Sequence, residues 1–136
     1  MKTSADPWGY YTPEAIARHK QNYRRPGFLA FLLECEQVKV KHHNHRAHKL
    51  GLASTLTVEA WVETLKDFEG MCAYCLTARY SVIEHFTPLS AGGGTTAANC
   101  IPACQPCNIR KSQHIGLPPE AMQRVATYLR ERGGEV

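Results

Sequence analysis

The chain has 136 residues, enough for one domain with an appended arm, and 43% of them are apolar, enough for a modest core. The formal net charge is +4, and most of the excess lies between Arg18 and Lys49, where eight lysines and arginines face only Glu34 and Glu36. That distribution argues against an acidic or evenly charged chain and points to a polyanionic partner, with a merely solvated basic face as the alternative.

In chain order, "TPEAIARHKQNYRR" carries a helix start: Thr12 as N-cap, Pro13 at the first helical position and Glu14 in the first turn. Ile16 and Tyr23 share one face, and "RRPG" ends the helix. A second helix is expected from about Phe28 to about Leu50, with Gly51 as its stop. Its first half is apolar; in its second half Lys39, His42, His43, Arg46 and Lys49 fall on one side. The run "GFLAFLL" is too short to span a bilayer and too far along to be a signal peptide. Thr57 caps a third helix with the stripe Trp61, Leu65 and Phe68, and Gly70 ends it.

Next comes "MCAYC", a knuckle, followed by "RYSVIEHF", whose β-branched and aromatic residues predict a strand that Pro88 stops. "LSAGGGTTAAN" reads as a loop and "CIPAC" as a short extended piece. "QPCNIRKSQHIG" predicts a short helix with Pro106 in its first turn and Gly116 past its end. A last helix, about 118–132, places Met122, Val125, Ala126 and Leu129 on one face, as core or as a docking surface.

Four of the six cysteines form two C-x-x-C pairs, Cys72/Cys75 and Cys104/Cys107, separated by 28 residues. The two-residue gap lets both thiolates of a pair point at one ion. In a reducing cytosol, and with no secretion signal in view, the pattern favours metal over disulfide. Four thiolates make a closed tetrahedral site for Zn²⁺, structural rather than catalytic. Such an ion would staple a strand–loop–strand–helix unit too small to hold itself together. Cys35 and Cys100 are read as small buried apolar residues.

Inside that frame lies "EHFTPLSAGGGTTAANCIPACQPCNIRKS". In order and spacing it resembles the HNH endonucleases of the ββα-metal type, over Met71 to about Ser112. The basic helix followed by "LTVEAWVETL" looks like phage-type members. The resemblance implies an α+β, mostly helical chain. Its ββα-metal core, about 71–116, would lie in a nuclease domain of residues 57–136, preceded by a basic helical arm of residues 1–56. It further implies a metal-dependent hydrolysis of DNA phosphodiester bonds that leaves 5′-phosphate and 3′-OH ends. His85 would be the general base, and Glu84 and Asn108 the ligands of Mg²⁺ or Mn²⁺. Asn99 would hold the loop that orients His85.

The residue types suit those parts. An imidazole with an ordinary pKa of about 6.5 can take a proton from water at neutral pH. A carboxylate and an amide are hard oxygen ligands. Lys111 and Ser112 follow Asn108 by three and four residues, on the same helical face, and are expected at a phosphate; Lys39, Arg46 and Lys49 are expected at backbone phosphates. His42, His45 and His48 have chelating spacing, but no acid or cysteine joins them, so a DNA-facing surface is favoured over a second metal site. Without the flanking cysteines, Glu84 and His85 would read as a surface ion pair. The competing functions are a zinc-stabilised DNA-binding module and a phage DNA-packaging accessory docking packaging proteins, both without catalysis. The expected setting is the cytoplasm of a bacterial or phage-infected cell, with no membrane partner.

Overall fold

The computed structural model describes residues 12–113 and 115–133; the outer ends of the two expected domains, 1–11 and 134–136, lie outside the described residues. Among the described residues, five α-helices and a short 3-10 turn accompany a two-stranded antiparallel sheet, so the chain is α+β and mostly helical. None of the described helices is long and apolar enough to cross a membrane.

Helix α1, Pro13–Asn22, starts where the sequence says it should: Thr12 Oγ1 accepts a hydrogen bond from Ala15 N at 3.2 Å. Helix α2, Phe28–Lys49, buries Leu32, Glu36, Val40 and Ala47. Those spacings trace one stripe, and His43 falls on it between Val40 and Ala47. Helix α3, Val58–Asp67, is capped by Thr57, whose Oγ1 accepts from Ala60 N at 3.0 Å. It ends at Gly70, whose positive φ of 70° suits glycine and whose missing Cβ leaves room for the Tyr23 ring of the α1–α2 turn.

Strand β1, Val82–His85, pairs with β2, Cys100–Ala103, in the register Val82↔Ala103, Ile83↔Pro102, Glu84↔Ile101 and His85↔Cys100. Helix α4, Gln105–Ser112, follows β2 directly, and α5, Pro119–Gly133, closes the chain. Side chains alternate across the sheet, so its two faces serve different cores. Ile83 and Cys100 join Trp61, Leu65, Val40 and Tyr23, the residue just past α1, in a cluster beneath α2 and α3. Ile101 and Ala103 join the cysteine knuckles, Val125 and Leu129 beneath α5.

Helix α2, expected within an arm of residues 1–56, therefore shares a core with α3 and the sheet. Buried Glu36 on α2 accepts from the Trp61 indole at 2.9 Å and from the Tyr80 hydroxyl. Helix α5 is core rather than an open docking face: Ala121, Val125 and Leu129 are buried. Its Arg124 donates to the carbonyls of Ala73 and Tyr74 at 3.1 and 2.7 Å, and its Arg132 donates to Ala60 O at 2.8 Å.

One expectation is corrected. Cys100 is buried as expected, but Cys35 is exposed, because helical phase puts it to one side of the stripe of Leu32, Glu36 and Val40 on α2.

Candidate active site

The two knuckles meet. The sulfurs of Cys72, Cys75, Cys104 and Cys107 all lie within 4.8 Å of one another, and Cys75 Sγ is 3.9 Å from Cys104 Sγ. A tetrahedron with metal–sulfur bonds of about 2.3 Å has edges of about 3.8 Å, so the donor set fits a closed thiolate site able to bind zinc. None of the four is in a disulfide. The first knuckle is shaped locally: Leu76 N bonds back to Cys72 O at 2.9 Å, with Leu76 at a positive φ of 59°. It docks on β2 through Ala73 N to Pro102 O at 2.8 Å. Cys104 then caps α4 and Cys107 lies in its first turn, so one ion would tie knuckle, strand and helix together.

A cleft of about 600 Å³ opens between α2, the β1 edge and α4, lined by Lys39, His43, Arg46, Glu84, His85, Asn108, Lys111 and Ser112 among others. Glu84 and His85 are adjacent in β1, so they leave the sheet on opposite faces, yet both reach this cleft, which straddles the strand edge. Lys49 is exposed and outside the lining. Glu84 is the only carboxylate in the lining, against three basic side chains, so the cleft attracts anions.

Glu84 belongs to the cysteine-side face. It is 7% exposed, and its carboxylate accepts from Tyr74 OH at 2.6 Å and from Lys111 Nζ at 3.1 Å. Burial pushes its pKa up, and the bonds from Tyr74 and Lys111 pull against that. Lys111, expected at a phosphate, instead bridges Glu84 and the carbonyl of His85 at 3.2 Å. The Lys111 ammonium occupies this carboxylate, so a metal ion binding there would have to displace or share it. With the Asn108 amide in the same lining, this donor set fits a hard divalent ion.

His85 belongs to the α2-side face. Its Nε2 lies 2.9 Å from Thr95 Oγ1, which donates to the carbonyl of His43 at 3.0 Å. The His43 ring centroid is 5.3 Å from that of His85. Burial, then the charges of His43, Arg46 and Lys111, lower the His85 pKa to about 4, so the ring is neutral at pH 7.

Asn99 stands behind the site and clamps the glycine loop. Its Oδ1 accepts from Thr87 N at 2.8 Å, and its Nδ2 donates to Thr87 O and Gly94 O at 3.0 and 2.8 Å. A Cβ on Gly93 would collide with Thr87 O inside this clamp. Three residues were not singled out from the sequence as parts of the site. Tyr74 hides inside a cysteine knuckle, Thr95 inside a glycine loop, and neither position gives a signal. His43 does give one: its place on the buried stripe of α2 marks it as inward-facing.

Residues 72–114 match the model of the HNH endonuclease family. That segment runs from the first knuckle through β1, the glycine loop and β2 to just past α4. The match supports a nuclease in general terms. Helices α1, α2, α3 and α5 lie outside it, so Lys39, His43 and Arg46 reach the cleft from beyond the HNH segment. No curated protein and no solved structure matches the chain.

Proposed function

We propose that this chain is a divalent-metal-dependent endonuclease that hydrolyses phosphodiester bonds in DNA. One observation carries the reading: a neutral imidazole, a buried carboxylate and an amide line a single cleft with a basic rim.

His85 acts as the general base. Its lowered pKa keeps the ring unprotonated, and a phosphate entering beside Arg46 and Lys111 offsets their charge and restores part of its basicity. Glu84 and Asn108 would hold a Mg²⁺ or Mn²⁺ ion, which when bound would supply charge relief for the phosphate and the departing oxygen. A cation on Glu84 would release the Lys111 ammonium for a phosphate oxygen, with Ser112 one residue further along α4. Tyr74, its own pKa raised by burial and by Glu84, stays protonated and keeps the carboxylate aimed. Asn99 holds the loop that carries the approach to His85. Lys39 and Arg46 pair with backbone phosphates on either side, and Lys49 extends that track along α2. The products carry 5′-phosphate and 3′-OH ends, and one site gives one nick per visit. The ion of the cysteine site is zinc and takes no part in the chemistry.

The second reading is a zinc-stabilised DNA-binding module without catalysis. It draws on the Lys111–Glu84 contact, which already neutralises the carboxylate. A plasmid-nicking assay of zinc-loaded protein across Mg²⁺, Mn²⁺ and Ca²⁺ separates the two. Nicking with Mg²⁺ or Mn²⁺, reduced by about 10²–10⁴-fold in His85→Ala with DNA retention intact, is expected. DNA retention without nicking in any metal favours the module. A His85→Ala variant that cuts at the wild-type rate overturns the base assignment.

A further inference from the structure

Thr95 is fully buried in the loop between the strands. Its backbone fixes it there: Thr95 N donates to Ala53 O at 2.8 Å, and its carbonyl accepts from Thr55 N and Leu56 N at 3.0 Å each. The hydroxyl is not needed for that anchoring. It lies instead between two groups, His85 Nε2 at 2.9 Å and the His43 carbonyl at 3.0 Å.

The chemistry of this chain has a direction. A backbone carbonyl only accepts, so the single hydroxyl proton of Thr95 goes to His43 O. The hydroxyl oxygen is then left to accept, and Nε2 of His85 must be the nitrogen that carries the ring proton. A neutral imidazole carries one such proton, so Nδ1 holds the lone pair. With its proton free, the same hydroxyl would donate to Nε2 equally well and favour the opposite tautomer. The carbonyl on α2 removes that freedom.

We infer that Thr95 is a positioning residue that fixes the tautomer and orientation of His85, and that its reference point is the α2 backbone, outside the HNH segment. The inference rests on the reading of His85 as the base. It gives α2 a part in the site beyond its charges: if the helix shifts, the acceptor of the Thr95 proton moves and the ring loses its fixed direction.

The test reads tautomer and turnover separately. In zinc-loaded protein at neutral pH without DNA, the imidazole ¹⁵N shifts of His85 are expected to show protonated Nε2 and unprotonated Nδ1. Thr95→Val keeps the shape and the backbone bonds but removes the hydroxyl. It should give a mixed tautomer pattern and a kcat about 10²-fold lower, with KM and zinc content near wild type. Thr95→Ser, which keeps the hydroxyl, should restore both. Wild-type protein with the proton on Nδ1 overturns the inference, even if the valine variant fails to fold. So does a folded valine variant with wild-type shifts and kcat, or a serine variant as slow as the valine one. The nitrogen shifts do not depend on cleavage, so a failure of the base assignment in His85→Ala stays distinguishable from a failure here.

Discussion

The two faces of the hairpin do different work and are held by different forces. The face carrying Glu84 and Ile101 rests on two cysteine knuckles and α5, with four cysteine sulfurs at its centre. The face carrying His85 and Cys100 rests on α2 and α3, held by apolar packing around Trp61 and by the buried carboxylate of Glu36. The first face carries the buried Glu84 carboxylate and lies largely within the HNH segment. The second supplies the imidazole, and its setting comes mostly from outside that segment. A short family motif can thus carry half of a site's support and leave the other half to whatever helices the chain provides.

Removing the clamp should have the largest effect. Structural zinc contributes about 10–16 kcal/mol of apparent binding free energy in small zinc-folded peptides, more than a domain this size can lose. A strong chelator, or Cys104→Ser, should strip amide-exchange protection from β2, α4 and α5 and abolish cleavage. Protection in α2 and α3 should persist longer, since Trp61 and Leu65 are wholly buried in the other cluster. Loss of protection on both faces with one midpoint would show that the sheet welds them into a single cooperative unit.

The matching break on the other face is smaller. Glu36 is 4% exposed and accepts from the Trp61 indole and the Tyr80 hydroxyl, with Lys39 Nζ 3.4 Å away. Glu36→Ala leaves the buried Trp61 indole and the half-buried Tyr80 hydroxyl without that acceptor, at a cost of about 2 kcal/mol. Urea unfolding of the zinc-loaded protein measures it, with Glu36→Gln, which keeps an acceptor, expected to lose less. A cost below about 0.5 kcal/mol would mean that packing alone holds this face.

Legibility followed the same division. Caps, glycine stops and the C-x-x-C pairs are local signals, and Thr12, Thr57, Gly70 and the four cysteines stand where the sequence placed them. The strand was read longer than the four residues that pair, because β-propensity extends past the point where a partner exists. Cys35 was misplaced because a free cysteine is usually buried, and only helical phase shows it facing out. His43 was read as one of several basic-face histidines, since the charges around it masked its place on the apolar stripe. The bond between Lys111 and Glu84 joins residues 27 apart and depends on how α4 crosses β1, which no local pattern reports.

The smallest effect tests whether His43 is buried against the site or only near it. Burial first, then the charges of Arg46 and His42, lower its pKa from 6.5 to about 4. Lys39, Lys111 and the neighbouring His85 line the same cleft, and none of them favours a further positive charge. The folded state therefore resists a proton that the unfolded chain takes up near 6.5. The stability tied to a neutral His43 is complete above pH 6.5 and is lost as the pH falls toward 4. His85 behaves the same way, with its own pKa lowered to about 4. Replacing one of the two with a group that does not titrate should then remove about half of the histidine-linked slope. Urea midpoints of wild type and His43→Gln, measured from pH 7 to 5 with zinc content checked at each point, should converge as the pH falls. The cysteine-side face titrates alike in both proteins and cancels in the difference. Parallel curves would place the His43 ring in water and separate α2 from the chemistry of the cleft.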